Sequence, residues 1–166
     1  MARKTIEDLF IHELSDVYSA EKQGAKALPR LARAATNPAL ADTFTRHLEE
    51  SHGQIERIDQ FTELTGLKLK RMKCVAMEGL VEESKEILDE IDKGPVLDAA
   101  LIAAAQKVEH YEIASYGTLI AMAKQLGLKA EAVNLLKQTL AEEKASDENL
   151  TRIAEEGGNQ AAAKKS

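Results

Sequence analysis

The stretch Val108-Glu109-His110-Tyr111-Glu112-Ile113-Ala114-Ser115-Tyr116-Gly117-Thr118-Leu119 places two acidic residues inside an apolar helical pattern. At about 100° per residue, Val108, Tyr116 and Leu119 fall on one side of a helix. Glu109 and Glu112 fall on that same side. A carboxylate buried without a partner is costly, and several together repel one another. The stretch therefore predicts a core helix whose glutamates need a cation.

Two other predicted helices repeat this arrangement. The helix predicted over residues 5–35 carries Glu21 at the centre of its apolar stripe. The helix predicted over 129–156 has Glu143 and Asp147 in a gap of its stripe. Divalent or trivalent cations would offset both the burial and the repulsion, and these stripes contain no inward Lys or Arg. We therefore predict a metal site in the core.

Proline and glycine divide the rest of the chain. Pro29 lies inside the first helix and predicts a kink or local break there. Asp98 is expected to cap the third long helix. A single domain is expected over residues 1–158, followed by a disordered tail over 159–166. The predicted helices span about residues 5–35, 38–65, 74–92, 98–127 and 129–156.

This order of helices predicts the topology. Short connections make antiparallel hairpins from the first and second long helices and from the third and fourth. A long crossover carrying a short fifth helix joins the two hairpins, as in an all-α, ferritin-like four-helix bundle. An up-down bundle of five helices without a site is the alternative, and chain length does not separate the two.

The second long helix offers two sets of candidate ligands. Glu49 and His52 form the Glu-x-x-His pattern of di-iron bundles. Glu49, however, points nearly opposite the apolar stripe, whereas Glu50 lies at its edge, with His47 and Gln54 between. We therefore prefer Glu50, with His47 or Gln54 nearby, and keep Glu49 with His52 as the second choice.

The full ligand set favours a pair of metal ions. Glutamates of each hairpin lie at similar distances from its turn, which places them at one level. An oxygen-rich site suits iron, or else manganese, better than zinc. Tyr18 and Tyr116 lie within a turn of the ligands. They are either redox-active residues or hydrogen-bond donors to the ligands, or else core residues with a hydroxyl, which is the more frequent case. The predicted ligands are Glu21, Glu50, Glu109, Glu112, Glu143 and Asp147.

Composition excludes several classes of protein. The 166 residues carry a net charge of -6, which argues against a nucleic-acid-binding protein. The lone Cys74 cannot form an intrachain disulfide. No apolar run approaches the ~20 residues of a membrane helix, and the N-terminus lacks the apolar core of a signal peptide. We expect a cytoplasmic protein without nucleic-acid or membrane partners.

Several stretches resemble the bacterial YciF-like proteins, and the likeness extends to about Ala154. They are the opening stretch, residues 9–23, His47-Leu48-Glu49-Glu50, and Cys74-Val75-Ala76-Met77-Glu78-Gly79-Leu80. The resemblance implies a ferritin-like fold, a homodimer, a role in bacterial stress responses and a di-metal site. It leaves the biochemical activity open. Relative to rubrerythrin-type sites, Ser146 stands where a histidine follows Glu143.

The expected function is that of a bacterial stress-response protein with a di-metal carboxylate site, iron being the preferred metal. Such a site suits oxidase or peroxidase-like chemistry with oxygen or peroxide as the small oxidant. A non-catalytic structural or binding protein on the same scaffold is the alternative. Iron storage is a further one, and it would require a cage of many subunits.

Overall fold

The computed structural model describes residues 2–164, and within them it contains helices and no strand. The helices are α1 (Ile6–Ala34), α2 (Pro38–Thr65), α3 (Val75–Glu90), α4 (Pro95–Gln125), α5 (Ala130–Ile153) and α6 (Asn159–Ala163). The long helices α1, α2, α5 and α4 pack in that cyclic order, and α3 covers α1 and α4. This arrangement confirms the predicted all-α, ferritin-like bundle of two hairpins with a crossover helix.

Capping residues, prolines and glycines in the sequence explain most helix ends. Thr5 accepts a hydrogen bond from the Asp8 amide at 3.0 Å and begins α1 with a capping box. Pro38 occupies the start of α2, and Gly66 ends it with a φ of 71° that glycine adopts freely. The helix α1 continues through Pro29 to Ala34, so the local break predicted there does not occur.

Asp98 does not cap α4, contrary to the prediction. The helix begins earlier, at Pro95, and Asp98 lies buried in its first turn with 4% of its surface exposed. Its carboxylate accepts hydrogen bonds from the Thr36 amide at 2.7 Å, the Thr36 hydroxyl at 2.5 Å and the Asn37 amide at 2.9 Å. Asp98 thus ties the turn of the first hairpin to the start of the second.

The C-terminal segment differs from the expected disordered tail. After α5, residues 154–158 form a π-type turn in which Gly157 has a φ of 131°. A side chain on Gly158 would put its Cβ 2.8 Å from the Ile153 carbonyl oxygen. The short α6 follows and packs on α4, while residues 165–166 lie outside the described part of the chain.

The two largest apolar clusters lie toward opposite ends of the bundle, and a smaller one joins α3 to α1. One includes Phe10, Phe61 and Leu119, and the other includes Phe44, Leu101 and Leu150. Along each long helix, the polar core residues described below lie between the two clusters. None of the described helices is long and apolar enough to cross a membrane.

We expect Asp98→Ala to lower the free energy of unfolding by about 3 kcal/mol, because three donors would lose a charged acceptor. Chemical denaturation followed by circular dichroism measures this change. The exposed Asp92 supplies a matched control, and Asp92→Ala should alter stability little. Equal stability of the two variants would show that Asp98 does not link the hairpins.

Candidate metal centre

All four long helices contribute polar side chains to one buried layer between the apolar clusters. The glutamates of this layer are at most 3% exposed, which is rare for carboxylates. The helix α2 adds a histidine and an amide. The layer consists of Glu21 from α1, His47 and Gln54 from α2, Glu109 and Glu112 from α4, and Glu143 from α5.

The tightest group within the layer is His47, Glu109, Glu112 and Glu143. Each offers one ligand atom, and these atoms all lie within 4.8 Å of one another. The His47 Nε2 is 3.4 Å from Glu109 Oε1. The Ser146 hydroxyl donates to the same oxygen at 3.3 Å and lies 3.2 Å from His47 Nδ1. One cation could bind all four residues.

Hydrogen bonding leaves much of this layer unsatisfied. Tyr116 donates to Glu21 Oε1 at 2.6 Å, yet the other oxygen of Glu21 has no partner. Among the described residues, every buried side-chain nitrogen or oxygen that lacks a partner belongs to the layer. Buried polar atoms are normally paired. The buried atoms of the layer without a partner are Glu21 Oε2, Gln54 Oε1 and Nε2, Glu109 Oε2, Glu112 Oε2, and Glu143 Oε1 and Oε2.

Electrostatics also favours a cation here. Burial raises the pKa of Glu109 to about 12, with a further contribution from the adjacent Glu143. Burial likewise raises the pKa of Glu21 and of Glu112 well above the ordinary value, and neighbouring glutamates add to both shifts. Without a cation these carboxyl groups hold protons, which a metal would displace. Carboxylate-rich donors of this kind fit iron or manganese.

The remaining predicted ligands lie outside the tightest group. The Glu50 side chain is 38% exposed, and its Oε2 is 3.6 Å from His47 Nδ1, at the edge of the layer. Asp147 turns instead to Gln106, whose amide nitrogen is 3.4 Å from its Oδ1, and to His110, whose Nε2 is 3.2 Å away. The structure therefore does not bring Asp147 together with the glutamates.

Some of the second-choice residues lie in the buried layer, and the others lie outside it. Glu49 and His52 are exposed, so the di-iron sequence pattern on α2 faces away from the core. Tyr18 donates to Asp59 at 2.9 Å on the outside of the bundle. Tyr116, in contrast, is fully buried and hydrogen bonded to Glu21. His47 and Gln54 both lie in the layer.

An ion pair beside the layer escaped the sequence reasoning. Arg57 donates through Nη1 and Nη2 to the two oxygens of Glu142 at 2.5 and 2.7 Å, and also to Thr139 at 3.1 Å. The pair bridges α2 and α5. Two features of the sequence could have predicted this ion pair. Arg57 lies one helical turn after Gln54, and Glu142 directly precedes Glu143.

A small cavity touches the same carboxylates. It has a volume of about 30 Å³, and Glu109 and Glu112 form part of its wall. The rest of the wall is mainly apolar and includes Ala27 from α1, Val81 from α3 and Ala105 from α4. A space of this size admits a molecule comparable to water. The layer thus borders a largely apolar space that the crossover helix helps to close.

Comparison with known proteins agrees with this architecture. A family described as a domain of unknown function, DUF892, matches residues 5–163. The chain belongs to the DUF892 family. It is 64% identical over 155 residues to protein YciF of Escherichia coli strain K12, covering 93% of each chain.

Solved structures extend the comparison. The crystal structure of the E. coli stress protein YciF matches with a TM-score of 0.91 and 62% identity, over 95% of this chain and 99% of that one. YcfI from Rhodopseudomonas palustris matches with a TM-score of 0.85 and 49% identity, over 89% and 94%. A Xanthomonas campestris protein with 21% identity and a TM-score of 0.73, over 97% and 99%, shares the fold.

We expect the metal-free protein to become less stable as pH rises above 4.5, the ordinary carboxyl pKa. Raised native pKa values mean that the folded state holds protons which the unfolded state has released. Their contribution to stability is complete below the unfolded pKa and is lost as pH rises toward the folded values. Denaturant titrations of the metal-free protein at several pH values measure this trend.

The substitution Glu112→Gln removes one of these groups while keeping its shape. At pH values above neutrality, the metal-free variant should be more stable than the metal-free parent by about 1 kcal/mol or more. The exposed Glu82 provides the control, since Glu82→Gln should leave the pH trend unchanged. A parent protein that gains stability with rising pH over this range would contradict the electrostatic account.

Proposed function

We propose that the chain binds a pair of metal ions, with iron preferred and manganese the alternative, in the buried polar layer. We further propose that it acts in the bacterial stress response through oxidase or peroxidase-like chemistry. The observation that carries the proposal is the set of buried, unpartnered atoms, five of which are glutamate oxygens. Desolvated carboxylates with free lone pairs are the donors that hard cations require.

The two cations would take different ligands. The first suits the group of His47, Glu109, Glu112 and Glu143, whose ligand atoms already lie within 4.8 Å of one another. The second would use Glu21, together with the amide oxygen of Gln54, and would share Glu112 or Glu143. Glu143 helps to raise the pKa of both Glu21 and Glu112, and Glu21 adds to the rise at Glu112, which supports such sharing.

Bound iron would supply redox chemistry toward oxygen or peroxide. The side chains of the protein position the ligands. Tyr116 orients Glu21, and Ser146 orients Glu109 and His47. The Arg57–Glu142 pair fixes α5 next to Glu143. The apolar clusters exclude water from both ends of the layer, and the cavity beside Glu109 leaves space for a small oxidant.

The proposed biological setting follows the relatives. The E. coli homologue is a stress protein, and we extend that role to this chain. The proposal places the protein in the cytoplasm as a homodimer. A sizing column separates this state from the cage of many subunits that iron storage would need.

Anaerobic loading with ferrous iron should give about two ions per chain, the stoichiometry of carboxylate-bridged helical bundles. Glu112→Ala should reduce that content by half or more, because Glu112 would contact both ions. Glu21→Ala should remove one ion. Glu49→Ala serves as the control on the exposed face of α2 and should bind as the parent does. Elemental analysis after gel filtration measures the content.

Oxygen or peroxide consumption by the iron-loaded protein tests the chemistry separately. Turnover that disappears in Glu112→Ala and persists in Glu49→Ala is the expected result. A parent that binds iron without consuming either oxidant would favour the non-catalytic role. A folded parent that binds no metal would overturn the whole proposal.

A further inference from the structure

A groove on the outside of α1 concentrates positive charge. It has a volume of about 630 Å³ and runs between α1 and the segment 69–73 of the crossover. The residues lining it include no aspartate or glutamate, although the whole chain has 28 acidic and 22 basic residues. We call it the α1 groove. Its basic residues are Lys22, Lys26, Lys70, Arg71 and Lys73.

The backbone of the basic segment is fixed to α1. The Lys70 amide donates to the Ser15 hydroxyl at 2.9 Å, and the Cys74 amide donates to the Ser19 hydroxyl at 2.9 Å. Gln23 adds a bond from its side-chain amide to the Cys74 carbonyl at 3.1 Å. The segment is thus held at both ends, so the groove exists before any ligand binds and less ordering is needed on binding.

Most of the cations in the α1 groove lack a carboxylate partner. Lys73 pairs with Glu78. Within the described residues, the ion pairs include none of the other four basic residues of the groove. The ammonium of Lys22 lies 4.0 Å from the centre of the Tyr18 ring, which holds its position without cancelling its charge. Lys70 also interacts electrostatically with Asp8, which offsets part of its charge. The remaining positive charges in the concavity focus the field.

We propose that the α1 groove is a binding site for a small oligophosphate ligand. Ammonium and guanidinium groups are the standard protein partners of phosphate. The ammonium and guanidinium groups supply the donors for the ligand, because the hydroxyls of Ser15, Ser19 and Tyr18 already bond to Lys70, Cys74 and Asp59. The volume falls within the range of about 300–1,000 Å³ that small ligands occupy. The net charge of -6 disfavours a long polyanion, which would extend beyond the groove.

The site is separate from the metal layer. Glu21 faces the core, whereas the adjacent Lys22 and the nearby Lys26 are exposed. Oligophosphate binding therefore does not depend on metal, and the proposal stands independently of the redox function.

Titration with inorganic tripolyphosphate at low ionic strength tests the site, with calorimetry for affinity and amide NMR shifts for location. The parent should bind with a Kd below about 1 mM. The pair Lys26→Gln and Arg71→Gln should weaken binding at least tenfold. The matched control, Lys124→Gln with Lys137→Gln, removes the same charge from exposed lysines elsewhere and should change affinity less than twofold.

Amide shifts in the parent should concentrate at residues 15–26 and 69–74. A second groove pair, Lys22→Gln with Lys70→Gln, should weaken binding in the same way, with unchanged circular dichroism and metal content. Equal weakening by the control pair, shifts scattered over the surface, or no binding by the parent would overturn the proposal. Tighter binding of a single-stranded oligonucleotide than of tripolyphosphate would also overturn it, in favour of nucleic acid.

Discussion

The main constraint on this structure is the burial of several carboxylates at one level of a helical core. Glu21, Glu109, Glu112 and Glu143 are each at most 3% exposed, and their unpartnered oxygens would be strongly unfavourable in an apolar interior. A protein can retain such a layer by protonating the carboxyl groups or by binding cations. The raised pKa values describe the first state, and the proposed metal pair describes the second. Binding of the proposed metal ions would therefore exchange protons for metal ions among side chains that the fold already holds in position.

Contacts elsewhere in the structure hold the layer of buried carboxylates in place. Asp98 fastens the turn of one hairpin to the start of the other, and the Arg57–Glu142 pair joins α2 to α5. The crossover helix α3 closes the side of the bundle where the small cavity meets Glu109. Because these contacts join elements far apart in sequence, the positions of the proposed ligands are fixed by the whole bundle rather than by any single helix.

The sequence predicts most of the fold, since Pro38, Gly66 and regular apolar spacing act locally. It also places the four buried glutamates correctly in the core, because inward acids interrupt clear stripes. Local rules fail where a distant partner decides the outcome. Asp98 satisfies the rule for a helix cap, yet its partners lie on the α1–α2 turn. Asp147 fits the helical pattern of α5, yet its neighbours on α4 draw it away from the layer.

Anomalous diffraction from crystals of the iron-loaded protein, collected on both sides of the iron absorption edge, tests the central claim most directly. The account predicts two strong peaks in the core of each chain. One should lie among His47, Glu109, Glu112 and Glu143, and the other beside Glu21. Iron bound only at the exposed Glu49 and His52, or a core without any anomalous peak, would contradict it.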